Sequence, residues 1–254
     1  MTIHHLRNAT FVIETKAAVI LVDPMLGPRG FGAPFTMFRF KPKRNPLVNL
    51  PESAPSILDK VTHCLITHLH PDHIDPTAIE FLKTRNIPVV CSFTDAKVLK
   101  KKGLTIDKVL NYWEPADYLG GRIIGVPAIH GYGFVKHIAG KVMGFHLELP
   151  GEPSIYISSD TVYTDHVDRA LKEFKPEISV LAAGKAQLDI GQPLLMHEAD
   201  QVKFVQNSPG RVFANHMEAL NHCPHTRADL RRLLQQNGLL AKVDIPEDGE
   251  SVAY

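Results

Sequence analysis

Short β-branched and apolar segments recur along the chain, and from residue 61 they alternate with segments that have the apolar spacing of helices. Two apolar runs near the start, joined by the polar residues 14–16, predict a hairpin. Further strands are predicted at 61–67, 87–91, 108–110, 117–119, 122–129, 141–149, 154–158, 178–182 and 211–214. Helices are predicted at 76–84, 94–102, 164–174, 197–207 and 226–237. Strand-rich stretches interleaved with helices in both halves predict an α/β fold, a four-layer αββα sandwich.

No internal repeat or linker-like composition interrupts the chain, so we expect one domain over residues 1–254. Residues 24–51 break the alternation, because this segment is rich in proline, glycine and phenylalanine and has no clear helix or strand period. An irregular stretch of this length inside a domain is typical of a lid or binding loop. We therefore refer to residues 24–51 as the lid segment.

The composition is that of a globular protein with a sizeable core, since 44% of the 254 residues are hydrophobic and 22% are charged. The formal net charge of +1 argues against a nucleic-acid partner, which usually requires a basic surplus. No apolar run is long enough to span a membrane and no signal peptide is visible, so we expect a cytoplasmic protein without a membrane partner. Three widely spaced cysteines favour neither a disulfide framework nor a cysteine-type zinc site.

The lid segment carries five basic residues and no acidic residue, which is a local excess in a nearly neutral chain. These residues are Arg29, Arg39, Lys41, Lys43 and Arg44. We expect Arg29 and Arg44 to bind an anionic group of the substrate, a phosphate or a carboxylate. The alternative is a solvated basic loop whose phenylalanines pack on the sheet edge. Basic residues interleaved with aromatic ones also occur in grooves for single-stranded nucleic acid.

Residues 67–75, Thr-His-Leu-His-Pro-Asp-His-Ile-Asp, are the most informative motif of the chain. In an extended backbone His68, His70 and Asp72 share one face, and Pro71 disfavours a helical conformation at the preceding residue. The turn into the next helix then directs His73 toward the same place. Four nitrogen and oxygen donors on one loop are too many for one open catalytic ion, and they fit two adjacent ions better.

Further donors stand just past apolar strands, in the same context as His68. They are His130, Asp160 and His216, and we expect them to complete the ligand set. Lys185 and Gln187 follow another predicted strand and are expected to line the substrate pocket. His222 competes with His216 as a ligand or contacts the substrate, and His197 is expected to cap a helix.

In several motifs the sequence resembles the metallo-β-lactamase superfamily, with the closest match to the branch of L-ascorbate-6-phosphate lactonase. The matching motifs are Asn8–Thr10, Leu21–Pro24, His68–Asp75, Ala128–Gly131, Ile157–Thr161 and Asn215–Met217. The resemblance implies one ion on His68, His70 and His130, a second on Asp72, His73 and His216, and Asp160 as a bridge. It also implies the αββα sandwich with the site at the sheet edges. Many relatives have Gly-His where this chain has Arg7-Asn8, which leaves the role of Asn8 open.

We therefore expect two divalent metal ions that share a hydroxide, which attacks a carbonyl or phosphoryl centre. Zinc and manganese are the expected ions, and such a site also accepts iron. Asp72 is the expected catalytic residue, which orients the hydroxide or carries its proton. Asp23 and Asp75 are expected to accept hydrogen bonds from ligating imidazoles, although Asp75 equally fits the N-cap of the following helix.

The expected function is a metal-dependent hydrolase that acts on a small, anionic ester, lactone or phosphodiester. One alternative is a nuclease of the same superfamily, against which the near-neutral charge counts. A second alternative is a non-catalytic binding protein that retains the fold. The complete set of candidate ligands argues against this second alternative.

Overall fold

Two seven-stranded mixed sheets form the centre of the protein, in a computed structural model that describes all 254 residues. The first sheet contains β1 (Thr2–Arg7), β2 (Thr10–Glu14), β3 (Val19–Val22), β4 (His63–Ile66), β5 (Val89–Ser92), β6 (Ile106–Leu110) and β14 (Ser251–Ala253). The second contains β7 (Pro115–Tyr118), β8 (Gly121–Ala128), β9 (Val142–Glu148), β10 (Ile155–Ile157), β11 (Ile178–Ala182), β12 (Arg211–Asn215) and β13 (Val243–Asp244). The strand orders are β14-β1-β2-β3-β4-β5-β6 and β13-β12-β11-β10-β9-β8-β7.

Helices flank both sheets and complete the predicted αββα sandwich, which is confirmed. They are α1 (Ala54–Leu58), α2 (Pro76–Thr84), α3 (Ala96–Lys101), α4 (Asp165–Phe174), α5 (Glu198–Asn207) and α6 (Arg227–Gln236). Two 3₁₀ turns cover Val135–His137 and Leu240–Lys242. None of the helices is long and apolar enough to cross a membrane.

Alternation along the strands divides the apolar side chains among three core layers. In β2, Phe11 and Ile13 pack between the two sheets, whereas Val12 packs under α1–α3. In β12, Phe213 joins the layer between the sheets, and Val212 and Ala214 pack under α4–α6. Because successive side chains of a strand point to opposite faces, a strand covered on both sides contributes to two cores.

Strand direction places many loops at one edge of the sandwich. Strands β3 to β6 are parallel, and β10 to β12 are parallel in the other sheet. β1 and β8 are each two antiparallel steps from β3 and β10, so they run in the same direction as these strands. The residues that follow β1, β3, β4, β8, β10 and β12 therefore leave the sheets at their carboxyl ends, where ligand sites of α/β folds collect.

The elements that the sequence pattern did not resolve are short or carry buried polar groups. β1 buries the polar side chains of His5 and Arg7 beside the apolar Ile3 and Leu6, which hides its strand pattern. The five-residue helix α1, the two-residue strand β13 and the exposed strand β14 are too short for a periodicity. Their formation depends on tertiary contacts rather than on local pattern.

The lid segment contains no helix or strand, and the fully buried Arg7 holds both of its ends. The guanidinium donates to the carbonyl of Met25 at 2.6 Å, of Gly27 at 2.7 Å and of Val48 at 2.9 Å. A buried carbonyl without a donor is costly, so these three bonds fix where the lid segment leaves and rejoins the sandwich.

We expect Arg7→Met to lower the free energy of unfolding by about 3 kcal/mol, because it leaves buried carbonyls without a donor. The matched control is Arg85→Met, which removes an exposed pair with Asp59 and is expected to cost less than about 1 kcal/mol. Urea unfolding followed by circular dichroism measures both. Equal losses in the two variants would contradict the anchoring role of Arg7.

Candidate metal site

The seven predicted ligand side chains lie together at the carboxyl edge of the two sheets. Four of them lie in the loop between β4 and α2, and the other three lie directly after β8, β10 and β12. They form two groups in which the ligand atoms lie within 4.8 Å of one another: His68, His70 and His130, and Asp72, His73, Asp160 and His216. All are buried except His70, which is half-buried. The cluster could therefore hold metal.

Asp160 stands between the two groups. Its Oδ2 atom is 3.3 Å from Nε2 of His73, 3.4 Å from Nε2 of His216 and 3.6 Å from Nε2 of His130. On the other side of the second group, Oδ2 of Asp72 is 3.2 Å from Nε2 of His216. In a tetrahedral site with ligand bonds of about 2.0–2.1 Å, ligand atoms are about 3.3 Å apart. The observed spacings match that value.

Two atoms of the cluster are buried and have no hydrogen-bond partner, Nε2 of His68 and Oδ1 of Asp160. Such groups are rare, because burial without a partner costs free energy. Both point to a missing partner, and a cation at the cluster would satisfy both. The donor set and these two atoms fit a metal site.

The ionisation states also suit metal binding. Burial lowers the pKa of His68, and it lowers the pKa of His130 to about 4, so that both imidazoles are neutral at pH 7. Burial alone would raise the pKa of Asp72, but the charge of His73 and the other neighbouring imidazole outweigh it, and the net pKa is well below its usual range. Metals bind neutral imidazole and ionised carboxylate, which are the states of His68, His130 and Asp72. The neighbouring carboxylates raise the pKa of His73 and His216, so these two imidazoles would release a proton on binding a cation.

A second layer of hydrogen bonds orients the imidazoles. Asp23 accepts from Nδ1 of His73 at 2.8 Å and also from the amide and hydroxyl of Thr67. The carbonyl of Leu194 accepts from Nδ1 of His130 at 3.1 Å. Fixing the distal nitrogen in this way leaves Nε2 directed toward the cluster. The geometry agrees with the role predicted for Asp23.

Asp75, by contrast, contacts no ligand imidazole. One of its oxygens caps α2 by accepting from the amide of Ala78 at 2.7 Å, and the other accepts from the amide of Gly27 at 2.6 Å. The side chain points toward the helix and the lid segment, so the N-cap interpretation is the one that the structure supports.

Left-handed backbone conformations occur repeatedly where the strands end at the site. Asp23, Ser159 and His216 have φ of 45°, 59° and 60°, and Asn8 has φ of 53°. Such positions cost free energy for residues other than glycine, and they cluster at functional sites. Asn8 links two site loops, because its carbonyl accepts from the amide of His216 and its side-chain amide donates to the carbonyl of Asp72. The role left open for Asn8 is therefore to position these loops.

A cavity of about 230 Å³ opens over the cluster. His70, Asp72, His130 and Asp160 form its floor, and His222 forms part of its wall. The remaining wall is mainly apolar and comes from Phe35, Val135, Ile138, Ala139, Leu188 and Leu194. No lysine or arginine lines it. Sequence reasoning missed these apolar residues, because their loops carry no recognisable pattern.

The structure brings His222 to the pocket but not the other four predicted substrate contacts. Arg29 and Arg44 border a separate cavity, and the Arg44 guanidinium donates to two carbonyls of the lid segment itself. Lys185 pairs with Glu198 at 2.6 Å, and the side chain of Gln187 donates to a carbonyl of its own loop. The side chains of Arg44, Lys185 and Gln187 therefore bond within the fold rather than at the pocket.

One further prediction concerns a residue near the site. His197 caps α5, since its side chain accepts from the amide of Asp200. The prediction that it caps a helix is therefore supported. Cys223 is buried, and its sulfur lies 3.6 Å from Nδ1 of the candidate ligand His216, a contact that the sequence did not indicate.

Comparisons with known proteins agree with this site. Residues 19–212 match the family described as "Beta-lactamase superfamily domain". The chain is 33% identical to the UPF0173 protein YddR of Bacillus subtilis over the full length of both, and other relatives are named metal-dependent hydrolases.

Two solved structures share the fold over nearly the whole chain. One is described as a possible metal-dependent hydrolase from Veillonella parvula, with a TM-score of 0.91, 29% identity and coverage of 99% and 98% of the two chains. The other is an isothiocyanate hydrolase from Delia radicum gut bacteria, with a TM-score of 0.91, 30% identity and coverage of 100% and 99%.

We expect Asp23→Ala to weaken metal binding by about 10- to 100-fold, because His73 loses the acceptor that orients it. Asp75→Ala is the matched comparison, and it is expected to lower stability by about 1 kcal/mol through loss of the cap while changing metal affinity less than about threefold. Competition with a fluorescent chelator measures the affinities. Equal weakening in both variants would show that Asp75 also supports a ligand.

Proposed function

The chain belongs to the metallo-β-lactamase superfamily and is a metal-dependent hydrolase, and from this premise we propose that its substrate is a small, uncharged and mainly apolar electrophile. The observation that carries the proposal is the apolar wall that surrounds the His and Asp cluster. An isothiocyanate is the first candidate, because a protein with 30% identity and the same fold is an isothiocyanate hydrolase.

The wall favours an uncharged substrate on energetic grounds. A charged group would lose its hydration on entering a cavity whose wall has no lysine or arginine to pair with it. The basic residues of the lid segment do not supply that charge, because Arg44 is bonded to carbonyls and Arg39 is bonded to the 189–191 loop. An anionic substrate, as the composition of the lid segment predicted, receives no support from the pocket.

We propose two ions at the cluster, with Asp160 shared between them. The proposed ligands of one ion are His68, His70 and His130, and those of the other are Asp72, His73 and His216. Divalent ions held there would lower the pKa of a coordinated water toward neutrality and polarise the substrate. The nitrogen-rich donors suit zinc, and the carboxylates also accept manganese or iron.

The protein's own groups would guide the addition of water to the central carbon of R–N=C=S. Asp72 is ionised and lines the cavity, so it is placed to hold the proton that the attacking water loses and to pass it to the nitrogen. The addition product is R–NH–C(=S)–OH. Its remaining O–H proton moves to the nitrogen as the C–N bond breaks, which releases an amine, R–NH₂, and carbonyl sulfide. Phe35 and Leu188 exclude bulk water from the reacting atoms, which strengthens the electrostatic interactions in the cavity.

The other functions predicted from the sequence have less support. A cavity of about 230 Å³ without basic residues suits neither a polynucleotide nor a phosphodiester. The lactonase-like branch stays a prediction. The grouping of all seven candidate ligands favours an enzyme over a binding protein that only retains the fold.

We expect the purified protein to bind close to two transition-metal ions per chain and Asp160→Ala to retain one or fewer, because the shared ligand is lost. Elemental analysis after gel filtration measures the content. Asp117→Ala, which changes an exposed aspartate on β7, is expected to keep both ions. Two ions in Asp160→Ala would contradict the shared position of Asp160.

The preference for an uncharged substrate is tested with two compounds: butyl isothiocyanate, and an isothiocyanate of equal chain length whose far end is a carboxylate. We expect kcat/KM to be at least tenfold higher for the neutral compound, because the carboxylate would be desolvated without a partner. Raising the salt concentration should leave the rate on butyl isothiocyanate unchanged. Preference for the carboxylate, with rates that fall as salt rises, would instead support the basic lid segment as the binding site.

A further inference from the structure

Four large apolar side chains are exposed beside the mouth of the cavity, and we call them the apolar rim. They are Phe38, Phe134, Ile138 and Ile190, with exposed fractions of 91%, 56%, 70% and 76%. Single exposed hydrophobic residues are ordinary, but a group of them around a ligand site marks an interaction surface. Ile138 belongs to the cavity wall as well, so the apolar surface continues from the cavity onto the rim.

The rim is assembled from three separate segments that contact one another. The loop at Gly191 packs so closely on the 134–138 segment that an added Cβ would lie 3.2 Å from the ring of Phe134 and 2.4 Å from Val135. The backbone that follows Ile190 therefore contacts Phe134. The third segment, residues 36–39 at the tip of the lid segment, brings Phe38.

Asp189 joins the lid tip to the 188–191 loop. Its carboxylate accepts from the backbone amides of Met37 at 2.8 Å, Phe38 at 2.9 Å and Arg39 at 2.8 Å, and from the hydroxyl of Thr36. Consecutive amides that converge on one anion form a concave anion-binding turn. This turn binds a carboxylate of the protein, so the anion-binding capacity of the lid segment serves to assemble the rim.

The two ends of the lid segment are held differently from its tip. Arg7 holds the ends through buried hydrogen bonds, whereas the bonds of Asp189 are exposed to water. Exposed hydrogen bonds exchange with water and open at low free-energy cost. The bonds between Asp189 and the lid tip are therefore weaker anchors than those of Arg7 at the ends.

We propose that the apolar rim binds the apolar tail of the substrate where the tail leaves the cavity, and that Asp189 is the positioning residue that keeps the rim assembled. The proposal rests on the proposed function for the identity of the substrate. The apolar surface of the cavity continues onto the rim through Ile138. A substrate tail too long for the cavity would therefore pass Ile138 and lie on the exposed apolar side chains next to it. The rim thus sets the preferred length of the tail.

The first experiment measures kcat/KM for linear alkyl isothiocyanates of increasing length. In the native protein each added methylene is expected to raise kcat/KM by about two- to fourfold, which is the effect of burying part or all of a CH₂ group. Phe38→Ser and Ile190→Ser are expected to flatten this dependence to less than about 1.5-fold. Val98→Ser, an exposed valine on α3, is the matched control and should leave it unchanged.

Binding of inert linear alcohols, measured by calorimetry, separates this proposal from the proposed function. One outcome is that no isothiocyanate is hydrolysed, but alcohol affinity rises with chain length and Phe38→Ser abolishes this rise. In that case the rim binds apolar tails, and the assigned substrate is wrong. If the length dependence is the same in the native protein and in both rim variants, the rim does not bind the substrate tail. Light scattering provides a second check, because a dimer that Phe38→Ser dissociates without changing length dependence would make the rim an interface between copies.

The second experiment tests Asp189 without relying on activity. In Asp189→Ala, trypsin is expected to cleave after Arg39 at least tenfold faster than in the native protein, and the length dependence should flatten as in the rim variants. Adding acetate fills the amide turn without reconnecting the two loops, so the length dependence should stay flat. Unchanged cleavage, or full restoration of the length dependence by acetate, would show that Asp189 does not hold the loops together.

Discussion

The burial of negative charge at one edge of the sandwich is the constraint on which the site depends. Asp23, Asp72 and Asp160 are buried there, and no lysine or arginine pairs with them. The histidines supply the compensating charge: burial opposes protonation of His73, but the surrounding carboxylates raise its pKa to about 10. Buried carboxylates require positive charge close by, and a divalent cation meets that requirement while also satisfying the unpartnered atoms of His68 and Asp160.

The sheet topology explains how distant parts of the sequence meet this requirement together. Strands of both sheets end at the same edge, so one donor after each of several strands is enough to build the cluster. The left-handed conformations of Asp23 and His216 turn the chain directly after a strand and bring the side chain to the site. Asn8 couples the loop of Asp72 to that of His216, which links the two sheets.

The fold and the grouping of the candidate ligands could be predicted from the sequence because their signals are local: strand and helix periods, and donors placed directly after apolar runs. The pocket wall could not, because Phe35 and Leu188 come from irregular segments whose positions depend on long-range hydrogen bonds. Asn221 bonds to the amide of Phe35, and Asp189 bonds to the lid tip. The charge of the lid segment likewise does not locate the cavity, since the Arg44 side chain contacts carbonyls of its own segment.

We propose that one cluster of seven side chains holds two adjacent ions beneath an apolar pocket. Diffraction data collected at the absorption edge of the bound metal test it most directly. We expect two anomalous peaks about 3.5–4 Å apart, one among His68, His70 and His130 and the other beside His73 and His216, with Asp160 between them. A single peak, or peaks outside these two groups at full metal occupancy, would contradict it.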